Sequence, residues 1–188
     1  MASIPPILDI RDDLRRAREE TDADLDDELE TVYDRLDAFA DQDLGDVEGD
    51  LDVIDNELLR VEELLDDEEA ARALRSARNR IHIYRESREQ TDEDLAVVDS
   101  GVEEAEDVGP AGLPPVGEVT LTATVANTGD DTEVVPVAAF YDEDGEEVGT
   151  VEGPAFDLPA GVEQRIHFDV DVPSEASLYG VSVVEVAG

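Results

Sequence analysis

The apolar period of this chain changes once, and that change limits the folds open to it. In the first half, apolar residues recur every three or four positions. One run is Ile7, Ile10, Leu14, Leu25, Leu29, Val32, Leu36 and Phe39; a second is Val47, Leu51, Ile54, Leu58, Val61 and Leu65. A third is Ala70, Leu74, Ala77, Ile81 and Tyr84, and Leu95, Val98, Val102 and Ala105 continue its spacing. Such spacing lays one apolar stripe along each helix, so each must pack against another helix. After residue 117 the period falls to two. Val119, Leu121, Ala123 and Val125 alternate with polar residues, as do Val135, Val137 and Ala139, then Ile166, Phe168, Val170 and Val172, then Tyr179, Val181 and Val183. Glu147–Glu152 adds a short strand. Alternation of this kind marks half-buried strands. The turns between them are Asn127-Thr128-Gly129-Asp130, Asp142-Glu143-Asp144-Gly145 and Pro159-Ala160-Gly161.

The change falls at DVGPAGLPPVG, residues 107–117, a Pro- and Gly-rich stretch that reads as a linker. The expected class is therefore α+β in two domains. Residues 1–106 form an acidic antiparallel helical bundle of three helices, 107–117 the linker, and 118–188 an antiparallel β-sandwich. The middle helix, about 28 Å long at 1.5 Å per residue, is shorter than its neighbours. Residues 6–20 and 92–106 would then overhang with exposed apolar stripes, unless the outer helices break at Thr21 and Thr91. Both threonines sit in a similar phrase, Arg-Glu-Glu-Thr-Asp-Ala-Asp-Leu and Arg-Glu-Gln-Thr-Asp-Glu-Asp-Leu, with an acid three residues on as in a loose capping box. Exposed overhangs would favour a homo-oligomer.

Asp and Glu number 53 against 13 basic residues, all Arg, for a formal net charge of -40. Charge at this level often means disorder. The hydrophobic fraction of 40% and the sustained periodicity argue for a folded chain instead. In molar salt the Debye length falls to about 3 Å, and repulsion among surface carboxylates is screened. Acid excess, absent Lys, few aromatics and small apolar residues resemble the proteins of extreme halophiles, haloarchaea above all. Most acids here are then surface groups. No Cys occurs, which excludes disulfides, thiolate metal sites and Cys nucleophiles. Direct nucleic-acid binding is not expected at this charge. No membrane-spanning run occurs, and the N-terminus lacks the basic and apolar regions of a secretory signal. A cytoplasmic protein is expected.

The segments TATVANTGDD, VAAFYDEDGEEVGTVEG and LPAGVEQRIHFDVDV resemble the FxLYD and CARDB-like immunoglobulin-fold domains. The resemblance rests on Asn127, Thr128, Gly129, Phe140, Tyr141, Asp142, Gly145, Leu158, Gly161, Phe168 and Val170, within residues 116–186. It implies an immunoglobulin-like sandwich and an interaction module more than an activity.

Few residues present themselves as sites. Asp142, Asp144 and Glu146 form a candidate cation loop, since hard cations gather several oxygens from one loop. Their spacing is not that of an EF-hand, and the plainer reading is a hairpin turn around Gly145. His82 and His167 fall in different halves without a Cys partner. No nucleophile elbow, phosphate loop or zincin motif occurs, so no catalytic residue and no cofactor are expected. The one basic stretch carries Arg78, Arg80, Arg85 and Arg88 as interaction candidates. They read either as partners of acids on neighbouring helices, such as Glu57, Glu62 and Glu63, or as a docking patch for an acidic partner or RNA. The expected role is a non-enzymatic structural or adaptor protein with an unidentified protein partner. The alternative is an acidic mimic that occupies a basic nucleic-acid-binding protein.

Overall fold

The computed structural model describes residues 6–40, 47–103 and 116–187. Four α-helices come first: α1 (Arg11–Glu19), α2 (Asp26–Ala40), α3 (Val47–Leu64) and α4 (Glu68–Gln90), with a short 3-10 turn at Pro6–Leu8. Seven strands follow: β1 (Leu95–Val102), β2 (Gly117–Asn127), β3 (Thr132–Tyr141), β4 (Glu147–Glu152), β5 (Phe156–Leu158), β6 (Glu163–Val172) and β7 (Leu178–Glu185). The chain forms two compact units. Among the described residues, Leu8–His82 make one, and Pro6 and Ile7 with the residues from Ile83 onward make the other.

In the helical unit the expected stripes are the buried faces. Leu14, Leu29, Val32, Leu36, Leu51, Ile54, Leu58, Val61, Leu74, Ala77 and Ile81 are all buried. Phe39, Val47 and Ala105 fall outside the described side chains, and the expected break at Asp43–Asp46 and linker residues 107–115 fall outside the described residues. The expected three helices are four, because the first helical region breaks at Thr21. There the Thr21 hydroxyl accepts the Ala23 amide at 3.2 Å, and the Asp24 carboxylate accepts the Asp26 amide at 3.2 Å. Both side chains offer the backbone a turn in place of a continuing helix. Asp67 caps α4 as its position suggests, accepting the amides of Glu69 at 3.0 Å and Ala70 at 3.3 Å. The stripe of residues 6–20 does not overhang: Leu8, Ile10, Leu14 and Ala17 are buried.

The expected helix over 92–106 is overturned. Leu95–Val102 is a strand, paired antiparallel with β2 from Leu95↔Asn127 to Val102↔Leu121. Val98 is an extra residue, since Val97 pairs with Val125 and Asp99 with Thr124. A bulge of this kind breaks the period of two. It leaves apolar residues at 95, 98 and 102, which imitate helical spacing. The domain boundary expected at 106 to 118 thus falls between two neighbouring strands of one sheet.

Both sheets are antiparallel. One runs β1-β2-β6; in the other β3 is central. β7 lies along one side of β3, and β5 and β4 follow one another along the opposite side. Leu121, Val125, Phe168, Val170 and Val172 from the first sheet and Val134, Phe140 and Val183 from the second belong to one buried cluster. Burying side chains of this size stabilises by about 1.5–3 kcal/mol each. A smaller cluster joins Ile83 and Ile7 to Ala139, Tyr141 and Leu178.

Candidate functional site

The arginines of α4 are placed by its 3.6-residue period, which fans them to different neighbours. Arg75 Nη2 lies 3.0 Å from Glu62. Arg78 Nε lies 2.9 Å from Asp55, and its Nη1 3.2 Å from Glu62. Burial draws the Arg78 pKa down, but Asp55 and Glu62 outweigh it and the net shift is upward. Arg80 turns to the other side, where Nη1 meets Asp13 of α1 at 3.1 Å in a buried pair. Other pairs are Arg11 with Asp37, Arg18 with Asp26 and Arg35 with Asp50. These pairs join α1 to α2, α2 to α3, α3 to α4 and α4 to α1. Arg78 and Arg80 are therefore held by acids of their own unit, and the expected pairing with Glu62 is present. Glu57 pairs instead with Arg60 on its own helix. Arg85 is half-buried, while Arg88 is exposed with its guanidinium 6.0 Å from the centre of the Tyr84 ring. The four candidates are not brought together.

Asp13 is the buried acid among the described residues. Burial raises its pKa from the ordinary 3.8, against the lowering effects of Arg80, Arg16 and Ser76. Tyr179 is pushed up to about 12, first by burial and then by Asp99. Tyr141 moves up further for the same first reason, with Glu86 and Glu147 adding to it, and its hydroxyl donates to Glu86 at 3.4 Å.

The expected cation loop is a closed hairpin. The Asp142 carboxylate accepts the amides of Asp144 at 3.0 Å and Glu146 at 2.9 Å. Gly145, at φ 83°, donates to the Asp142 carbonyl at 3.1 Å. The carboxylate at the head of the loop is thus committed to its own backbone. Among the described residues, no group of three or more His, Asp or Glu side chains is placed to hold a metal. His82 lies 3.6 Å from Asp55, and His167 lies 3.2 Å from Glu103.

The feature that sequence reasoning missed lies at the sheet edges. Edges expose unpaired backbone groups, and proteins blunt them with short strands, bulges, charges or covering segments. β1 carries the bulge at Val98. β4 has six residues and its own irregularity opposite Phe140 and Tyr141; β5 has three residues. β7 is covered by the turn after α4: Asp92 donates to the Val183 carbonyl at 3.3 Å, the Thr91 hydroxyl accepts the Val183 amide at 3.3 Å, and the Asp92 carboxylate accepts the Glu185 amide at 2.6 Å. β6 carries charges on its exposed face but, among the described residues, no bulge, break or covering segment. Its ten residues pair with β2 in unbroken register from Glu163↔Ala126 to Val172↔Gly117. Among the described residues its other edge pairs with no strand. Ile166, Phe168, Val170 and Val172 point inward and are buried; Arg165, His167, Asp169 and Asp171 are exposed. Asp169 accepts the Thr120 hydroxyl at 2.7 Å.

Residues 7–87 match the model of a family of unknown function, DUF7553. No curated protein matches the chain. Solved structures that resemble it include Campylobacter jejuni cj0090, with 15% identity and a TM-score of 0.31 over 49% of this chain and 86% of that one. A DUF1425 family member from Shewanella sp. pv-4 matches with 12% identity and a TM-score of 0.33, over 50% of this chain and 78% of the other. Pseudomonas fluorescens alkylpurine DNA glycosylase AlkC, bound to DNA containing an abasic site analog, matches with 16% identity and a TM-score of 0.34, over 75% of this chain and 45% of that one. Among the described residues, no helix is long and apolar enough to cross a membrane.

Proposed function

We propose that the protein is a non-enzymatic structural or adaptor protein of a salt-rich cell, such as that of a haloarchaeon, and acts through protein–protein contacts. In this reading α1–α4 form a bundle stapled by ion pairs, and β1–β7 an immunoglobulin-like sandwich that makes the contact. The observation that carries it is the open β6 edge in a sheet unit whose other edges are bulged, short or covered. Backbone edges of this kind take up an added strand from a partner. The arginine-rich stretch, by contrast, serves register within the bundle, since Arg75, Arg78 and Arg80 already meet acids. The acid surface suits molar salt, and Asp13 alone among the described acids is buried.

Affinity capture in molar KCl tests this reading, with the intact chain and an Arg165→Asp variant as baits. A protein retained by the wild type and lost by the variant supports an adaptor that binds through β6. Retention of nucleic-acid-binding proteins equally by both baits would replace it with the acidic-mimic role.

A further inference from the structure

The charges on β6 say what fits its open edge. Reading outward from the sheet, the strand presents Glu163, Arg165, His167, Asp169 and Asp171 in order, with buried Ile166, Phe168 and Val170 between them. Arg165 is the single Arg beyond residue 88, in a chain without Lys. Arg165 and Asp171 are both exposed. We propose that β6 pairs antiparallel with β6 of a second copy, about a two-fold axis at Phe168, and so joins two three-stranded sheets into one of six strands.

The register follows from cross-strand chemistry, because residues directly opposite one another interact and like charges there repel. Centred on Phe168, the pairing sets Arg165 against Asp171 of the second copy and His167 against Asp169 of the second copy. The two-fold axis repeats both pairs. On the inner face Phe168 meets Phe168, and Ile166 meets Val170. Sliding by one two-residue step in one direction keeps an acid opposite Arg165, now Asp169, but brings His167 against His167 and Glu163 against Asp171. Sliding in the other direction brings Asp169 against Asp169 and carries Arg165 past the end of the strand. Only the central register sets Arg165 against an acid without also opposing like charges, while all three keep the apolar residues on the inner face. A shift of a single residue would put Phe168 opposite an outward charge, on the wrong face.

Edge pairing supplies the surface for the self-association expected from the sequence, in place of overhangs of which one is buried and the other begins as a strand. It rests on the protein-contact reading and names a second copy as the occupant of that edge; a failed dimer leaves a different partner there, which the capture experiment judges. The test is sedimentation velocity with multi-angle scattering on the full chain, across concentration in molar KCl. The wild type is expected to dimerise. Arg165→Asp and Asp171→Arg each place like charges opposite one another twice, and each is expected to weaken the dimer about tenfold. The double variant Arg165→Asp/Asp171→Arg keeps the net charge at -40 and restores the pairs in reverse, so it is expected to recover wild-type association. Both side chains are exposed, and circular dichroism with thermal melting checks that each variant folds. A wild type that stays monomeric at every concentration overturns the proposal. So do two single variants that associate normally, or a double variant no better than the singles.

Discussion

Asn127 shows how much one polar side chain carries at the turn between β2 and β3. Its amide donates to the carbonyls of Asp130 at 2.7 Å and Leu158 at 2.9 Å, while its oxygen accepts the Gly129 amide at 2.8 Å. The residue is buried, so truncation leaves those groups short of partners, at about 1–3 kcal/mol for each buried group left unsatisfied. Asn127→Ala is expected to lower stability by about 2–3 kcal/mol in urea unfolding. Asp13 gives a second test at this scale. Asp13→Ala is expected to lower stability by about 3 kcal/mol, because the buried Arg80 loses one of its acid contacts. Replacing both, as Asp13→Leu/Arg80→Met, is expected to recover most of that loss. The pH dependence has a definite sign. Since the folded pKa of Asp13 lies above 3.8, the folded state holds the proton more tightly than the unfolded chain. Its contribution is largest in acid and declines as pH rises from 3.8 through the folded value. Asp13→Asn is expected to remove that decline, so wild-type stability relative to the variant falls over this window. The Asn127 turn was legible as Asn-Thr-Gly-Asp. The Asp13–Arg80 pair was not, because the two residues are 67 positions apart and any of many acids could have met Arg80.

At the scale of elements, the end of α4 is tightly held against β7. A side chain at Gly180 of β7 would meet Ser87 and Ile83. The helix approaches the strand this closely because glycine has no Cβ there. Gly180→Ala is expected to destabilise the packing of residues 83–90 and speed their amide exchange. Gly180→Ala/Ser87→Gly, which removes the side chain most directly in the way, is expected to restore much of the protection. Period counting found the faces of α2, α3 and the first part of α4, because each buries one stripe. It missed the role of Ile83 and Ser87, which lie off the stripe of Leu74, Ala77 and Ile81 and are buried on a different surface. The strands with clean alternation, β2, β3, β6 and β7, were equally readable. β1 was not, because one bulge at Val98 turned its pattern into a helical one. β5 has three residues, too few to show any period.

For the whole molecule, the proposed reading assigns the charge of -40 to a salt-rich solvent more than to a site. Carboxylates cover both units, and self-repulsion among them opposes folding wherever salt does not screen it. The melting temperature is therefore expected to rise steadily from about 0.1 M to about 2 M KCl, where the screening length drops from about 10 Å towards 3 Å. A melting temperature independent of salt would contradict that assignment. Which strand ends a sheet could not be read along the chain, since it depends on pairings as distant as Leu121 with Phe168. The central claim is that the open edge of β6 is where the protein meets another copy. Amide hydrogen exchange in molar KCl at low and high protein concentration tests it most directly. Alternate amides of β6 are expected to exchange more slowly at high concentration, while those of β4 stay unchanged. Exchange in β6 that ignores concentration, or protection that appears on another strand instead, would contradict the account.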